Sequence, residues 1–274
     1  MPEIAEVRVV ANTLKQQILN KKIEKVKVLY NGIIEGNPND FIKQIEGKNI
    51  KDITTYGKWI MFNLDNITLL SHLRMEGKYY YVPTEQEIDK HTHIIFTLEN
   101  GMDLRYHDVR KFGKMIIEDT TKVFENKHIS KLGYEPDDDK LTPEYLLNKF
   151  KGKNEPKKNP LLDQTIINGL GNIYANEVLF KSKINPLKKA LDITNDEAKK
   201  IINASKEITL KAYELGGTTI KSYTSSLGVI GHYQDELCVQ SRENKPCKVC
   251  NTPIKRCKIN GRSTFYCEKC QKNK

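Results

Sequence analysis

Cys247-Lys248-Val249-Cys250 and, after a further sixteen residues, Cys267-Glu268-Lys269-Cys270 lie near the C-terminus of the 274-residue chain. A second Cys-x2-Cys pair placed roughly fifteen to twenty residues after the first is the spacing with which four thiolates close a tetrahedral zinc site. The residues between the pairs read as a hairpin. Pro253 to Lys258 and Ser263 to Tyr266 are short strand-like runs. Asn260-Gly261 between them is the dipeptide that best tolerates the positive φ angles of a two-residue turn. Arg262 follows the turn directly. Two disulfides would also pair four cysteines, but a disulfide framework belongs to small secreted chains. Here only Cys238 and Cys257 remain outside the two close pairs. One structural Zn2+ in a reducing cytoplasm is the simpler expectation.

Composition bounds the partners. The chain is long enough for two modest domains, each with a core of its own. A formal net charge of +10 attracts polyanions, whether nucleic acid or an anionic membrane surface. No apolar run approaches the ~20 residues of a membrane helix, and the N-terminus lacks the layout of a signal peptide. A soluble cytoplasmic protein is expected.

Ile4, Val7, Ala11, Leu14 and Ile18 form the apolar stripe of an amphipathic helix over Glu3 to Leu19. From Ile23 to about Glu118 the pattern changes to short β-branched and aromatic runs: Ile23–Tyr30, Trp59–Leu64, Thr68–Leu73, Tyr79–Val82, His93–Leu98, Met102–Tyr106 and Lys114–Ile117. Such runs, broken by Asn and Gly turns, predict an antiparallel sandwich or barrel. Residues 132–160 read as a linker with one short helix. Its five lysines between Lys149 and Lys158 suit either a solvated face or a phosphate backbone. Leu161–Ile167 and Ile173–Lys183 are expected as two helices meeting at Asn168-Gly169-Leu170-Gly171-Asn172. A glycine-rich turn into a helix N-terminus can seat a phosphate or can simply allow the turn. A further helix is predicted from about Asp196 to Leu215, with Thr194 and Glu197 spaced as a capping box and Gly216-Gly217 as its stop.

Eight stretches, in order, carry a resemblance that spans essentially the whole chain. They are Met1-Pro2-Glu3-Ile4-Ala5-Glu6-Val7, Tyr56-Gly57-Lys58, His72-Leu73-Arg74-Met75, Asp108-Val109-Arg110-Lys111-Phe112-Gly113, Leu161-Leu162-Asp163-Gln164, Gly169-Leu170-Gly171-Asn172-Ile173-Tyr174-Ala175, Gly216-Gly217-Thr218-Thr219-Ile220 and Asn260-Gly261-Arg262. Together with the zinc pairs they resemble the bacterial formamidopyrimidine-DNA glycosylases, which share a fold with the endonuclease VIII-like enzymes. The resemblance implies an α+β protein. A β-sandwich domain with a flanking N-terminal helix would cover residues 1–131. After the linker would come a helical domain with a helix-two-turn-helix over 161–240 and a zinc β-hairpin finger over 241–274, with DNA lying in a basic cleft.

The implied activity is excision of oxidised purines such as 8-oxoguanine and formamidopyrimidines, followed by β,δ-elimination at the abasic site, by a monomer acting on double-stranded DNA in a bacterial cytoplasm at the nucleoid. Once Met1 is removed, Pro2 presents a secondary amine. An α-amino group of pKa about 7.7 to 8.0 is substantially neutral near pH 7 and can attack C1′ of the sugar. The resulting iminium acidifies the C2′ proton, and elimination of the phosphate follows. By resemblance Glu3 moves protons at the sugar, Lys58 contacts the lesion's phosphate, and Arg262 grips a phosphate for the second elimination. Met75, Arg110 and Phe112 would fill the vacated base stack. Asn172, His91, Lys153 and Lys158 would contact the backbone, and residues 218–226 would cover the flipped base. The sequence departs from the family pattern at Ala5, Arg8, Arg74, Asn176 and Ser263. An oxidised-pyrimidine glycosylase of the endonuclease VIII type, or a non-catalytic zinc protein that binds damaged DNA, are the alternatives.

Overall fold

A computed structural model describes residues 1–153, 156, 158–218 and 230–272. The chain divides into two compact units, Met1–Ser130 with Gly216–His232, and Lys131–Leu215 with Tyr233–Lys274. Among the described residues no helix is long and apolar enough to cross a membrane.

The first unit starts with α1, Ile4–Ile18, whose stripe Ile4, Val7, Leu14 and Ile18 is fully buried. After it come β1 (Ile23–Val28), α2 (Pro38–Ile45), β2 (Ile50–Tyr56), β3 (Trp59–Leu64), β4 (Ile67–His72), β5 (Lys78–Pro83), β6 (Thr92–Leu98), β7 (Met102–His107) and β8 (Lys114–Asp119). They form two four-stranded antiparallel sheets, ordered β1-β6-β7-β5 and β2-β3-β4-β8. Aromatic packing ties the sheets face to face. Phe62 of β3 meets Tyr79 of β5 at 5.5 Å between ring centroids, and the Tyr79 hydroxyl donates to Ser71 Oγ of β4 at 2.7 Å. One core runs through both sheets and the helix, from Val26, Phe96 and Leu104 to Ile53, Leu69 and Met115. The sandwich is therefore the expected one. Two elements were not anticipated. β2 is an edge strand carrying Lys51, Asp52, Thr54 and Thr55, so only Ile50 and Ile53 are buried and no apolar run marks it. α2 is announced only by the cap Asn37, which accepts from Asn39 N–H, and by Pro38 in its first turn.

The second unit is helical: α3 (Pro143–Phe150), α4 (Lys158–Leu162), α5 (Asn172–Lys181) and α6 (Asn195–Glu214), then the hairpin β9 (Lys255–Ile259) and β10 (Arg262–Tyr266). α6 begins at the predicted capping box, with Glu197 N–H donating to Thr194 Oγ1 and Thr194 N–H to Glu197 Oε2. Its last residue precedes Leu215 and two glycines at φ +74° and +79°. The helix expected over Leu161–Ile167 stops instead at Leu162. Asp163 accepts from Thr165 N–H and hydroxyl, turning the chain. Gln164 then staples the loop. Its Nε2 donates to Leu162 O and Leu170 O, and its Oε1 accepts from Gly169 N–H.

Candidate active site and zinc centre

In the first unit the site grows from the start of α1. Pro2 is buried, Glu3 is 2% exposed and Glu6 5% exposed, and Glu6 Oε2 accepts from the Glu3 N–H at 2.9 Å. The other oxygen, Oε1, accepts from Thr218 N–H at 2.8 Å and from Thr218 Oγ1 at 3.0 Å. The approach requires Gly217, at φ +79°, where an added Cβ would lie 2.9 Å from Glu6 Oε1. One buried carboxylate thus holds both the N-terminal residues and the chain leaving α6. Neither Glu6 nor Thr218 stood out in the sequence as a positioning group, because their partnership spans 212 positions.

Burial lowers the pKa of the Met1 amine from its ordinary value near 8.0; Glu3 and Glu6 oppose the shift, Lys58 adds to it and Glu76 opposes it. Lys58 is itself buried, between β2 and β3. Next to it, His72 is held neutral, its pKa pushed down to about 3 by burial first and then by the charges of Arg74, Lys58 and His128. His72 Nδ1 accepts the Arg74 N–H at 3.0 Å, which holds Arg74 at φ +54°. The arginine standing where the family pattern has glycine thus takes the left-handed conformation that a glycine adopts without strain.

The three expected wedge residues sit on two loops that share a seat. Met75 is 36% and Phe112 53% exposed, and the Arg110 guanidinium lies 4.7 Å from the Phe112 ring centroid. The buried Asp108 carboxylate organises the second loop by accepting from Arg110, Phe112 and Gly113 N–H at 2.8–3.0 Å. Gly77 and Gly113 both press on the hydroxyl end of buried Tyr106, where an added Cβ would come within 2.3 and 1.8 Å of the oxygen. The glycines therefore permit the two loops to meet there. His91 stacks edge-on to His107, whose Nε2 lies 2.9 Å from Asp89.

In the second unit the four cysteines converge, all four Sγ atoms lying within 4.8 Å of one another. The separations of 3.4 Å for Cys250–Cys267 and 3.9 Å for Cys247–Cys270 bracket the ~3.8 Å between thiolates that a tetrahedral ion with bonds of ~2.3 Å imposes. Burial, then the neighbouring sulfurs, pushes the Cys270 thiol up. Sulfurs packed this tightly are held as thiolates only around a cation. The donor set fits one structural zinc, and Cys247, Cys250, Cys267 and Cys270 hold it with no position left for a substrate.

The hairpin turns as its sequence predicts. Asn260 and Gly261 have φ of +46° and +75°, and Ile259 pairs with Arg262 across them. Arg262 is exposed at the first position of β10. Its neighbour Ser263 is tied down, the carbonyl accepting from Lys158 Nζ at 2.7 Å and from Asn172 Nδ2 at 3.2 Å. Lys158 Nζ also donates to Thr264 Oγ1 at 2.7 Å. This corrects the expectation for Lys158: it is fully buried, so its ammonium braces the hairpin and does not face a phosphate. Lys153, one-third exposed, lies 3.8 Å from Asp163. Of the stretch 218–226, expected to cover a flipped base, only Thr218 falls within the described residues.

Residues 1–115 match the formamidopyrimidine-DNA glycosylase N-terminal domain, residues 132–224 the H2TH domain of the same enzymes, and residues 244–273 the zinc finger found in formamidopyrimidine-DNA glycosylase and isoleucyl-tRNA synthetase. A formamidopyrimidine-DNA glycosylase of Ligilactobacillus salivarius is 43% identical over 273 residues, covering 99% of each chain. A Lactococcus lactis Fpg mutant in complex with Fapy-dG-containing DNA superposes with a TM-score of 0.94 at 33% identity, covering 99% of this chain and 100% of that one. The wild-type Lactococcus lactis Fpg with an oxidised-pyrimidine-containing DNA gives 0.93 at 33% identity over the same shares. A β-sandwich unit, a helix-two-turn-helix and a four-cysteine finger thus define a DNA-repair glycosylase. The chain belongs to the formamidopyrimidine-DNA glycosylase family, whose members are bifunctional and also carry abasic-site lyase activity.

Proposed function

We infer that this glycosylase excises oxidised purines from duplex DNA and nicks the strand by way of a Schiff base on Pro2, working at the nucleoid in a bacterial cytoplasm. The carrying observation is the start of α1, where buried Pro2 precedes the buried carboxylates of Glu3 and Glu6 and Glu6 Oε2 holds the Glu3 N–H at 2.9 Å. Removal of Met1 frees the secondary amine of buried Pro2, a nucleophile in its neutral form. Its lone pair attacks C1′ as the base leaves, with Glu3 moving the proton at the sugar. Lys58 steadies the lesion's phosphate through base loss and β-elimination. Arg262, on a hairpin fixed by Lys158 and Asn172, supports the δ-elimination as a bidentate phosphate ligand. Met75, Arg110 and Phe112 occupy the space the base leaves, and His91 and Lys153 contact the backbone.

Borohydride trapping on a duplex with 8-oxoguanine opposite cytosine tests this reading. The adduct is expected on the N-terminal peptide, at the Pro2 nitrogen. Its rate should rise with pH as the amine loses its proton. No adduct, or an adduct mapped to a lysine, refutes it. Preference for oxidised pyrimidines is the second reading, favoured by the Lactococcus lactis protein that holds such a lesion. Faster release of thymine glycol than of 8-oxoguanine would decide for it.

A further inference from the structure

The zinc-finger unit carries a cationic cavity whose lining includes none of the residues assigned to DNA. A cavity of about 380 Å3 opens where α5 ends, between the turn at Ser182–Asn185, the start of α6 and the second cysteine knuckle. Lys183, Lys188, Lys200, Lys269 and Lys272 line it, together with Glu197, which bonds Lys188 at 2.7 Å, and with the zinc ligand Cys270. Ser182 lines it as well. That residue is 4% exposed, and its hydroxyl is buried with no hydrogen-bond partner among the described residues. A buried hydroxyl left unpaired costs free energy that a ligand can recover.

The frame around the cavity is rigid. Gln271 Nε2 donates to Ile184 O, Gln271 Oε1 accepts from Cys267 N–H, and Asn185 Nδ2 donates to Gln271 O. The turn is thereby bolted to the zinc knuckle, and the backbone segments that carry Lys183, Lys269 and Lys272 are held at one cavity. Lys183 sits at φ +57° at the end of α5, with its N–H on Phe180 O and the next N–H on Leu179 O. Glycine is the residue that most often takes this left-handed position, so the chain presents a charge where a residue without a side chain fits with least strain.

We propose that this cavity binds a compact polyphosphate, such as the pyrophosphate group of a nucleoside di- or triphosphate. Lysine is a point-charge phosphate binder, and four lysines besides the Lys188–Glu197 pair outweigh the Cys270 thiolate and suit a ligand bearing several negative charges. The volume falls at the lower end of small-molecule sites, roughly 300–1,000 Å3. A duplex backbone would instead need an open track. Asn172, assigned to DNA, opens the ten-residue α5 that Ser182 closes, so the two ends lie ~15 Å apart along the helix. Occupancy clamps the C-terminal end of α5 to the zinc knuckle independently of the lesion chemistry.

The test titrates the full-length, zinc-loaded protein with inorganic pyrophosphate and with ATP in a calorimeter, without DNA. Zinc content is measured afterwards so that metal extraction is not mistaken for binding. Saturable 1:1 binding is expected, weakened about a hundredfold in Lys200→Gln/Lys272→Gln, since each lost charge-assisted bond is worth about tenfold. Ser182→Ala should weaken it several-fold, and borohydride trapping by the double variant should equal that of the parent. Non-saturable binding, or binding unchanged in the double variant, overturns the proposal. So does a double variant with weaker duplex binding and a shallower salt dependence, because the lysines would then belong to the DNA interface.

Discussion

Glu6→Gln separates a carboxylate that positions the amine from one that merely caps a helix. The Glu6 carboxylate takes the Glu3 N–H on one oxygen and both Thr218 donors on the other, at 2.8–3.0 Å. Glutamine has the same shape but one acceptor oxygen. Its less costly placement keeps the Thr218 pair and turns the amide NH2 onto the Glu3 N–H, leaving a buried donor unpaired. That costs about 1–3 kcal/mol, or about 2–12 °C in the melting temperature of a unit this size. The catalytic loss should be larger than the stability loss. Glu3 N–H is the amide next to Pro2, so its release lets the nucleophile drift, and a displacement of ~1 Å costs about a hundredfold in rate. The assay pairs urea unfolding with single-turnover borohydride trapping at saturating enzyme. A variant that loses about 1–3 kcal/mol but traps at the parent rate would refute the positioning role, since Glu6 would then contribute only to folding.

Two further outcomes follow from buried groups. Lys158→Met should lower zinc affinity and strand cleavage by unpinning Ser263 and Thr264, yet leave the slope of log affinity against log salt unchanged; a slope shallower by about one would return Lys158 to the phosphate backbone. His72 is depressed to about 3 in the folded state against 6.5 unfolded, so the unfolded chain binds the extra proton as pH falls through 6.5. Stability is therefore full above pH 6.5 and lower by about 2 kcal/mol at pH 5. Trp59, the chain's only tryptophan, stacks edge-on with His72 at 4.9 Å and reports the transition by fluorescence. His72→Asn should remove that part of the acid loss, and an unchanged acid limb would count against it.

Local chemistry wrote part of this protein directly into its sequence. Two Cys-x2-Cys pairs define a metal centre, Asn260-Gly261 a two-residue turn, and Thr194 with Glu197 the start of α6, because each motif is written in residues close along the chain, with sixteen residues between the two cysteine pairs themselves. Seven strands of the sandwich were legible, the edge strands β1, β5 and β8 among them, and β2 was not, because Lys51, Asp52 and two threonines interrupt its apolar pattern. Short-range pattern also overreached, extending a helix through Asp163 where side-chain bonds to the backbone favour a turn.

What the sequence by itself determined was the inventory: the zinc ligands, the hairpin that carries Arg262, the amphipathic first helix, and a chain of motifs sufficient to show the family. Only the tertiary structure decided the employment of residues whose partners lie far along the chain. Lys153 and Lys158 look alike in one basic run, yet the first is part-exposed and the second is buried against Ser263, 105 positions away. Glu6 is one more helical glutamate until the fold brings Thr218 to it. A charged side chain's role depends on what surrounds it and how much water reaches it, and both are set by long-range packing.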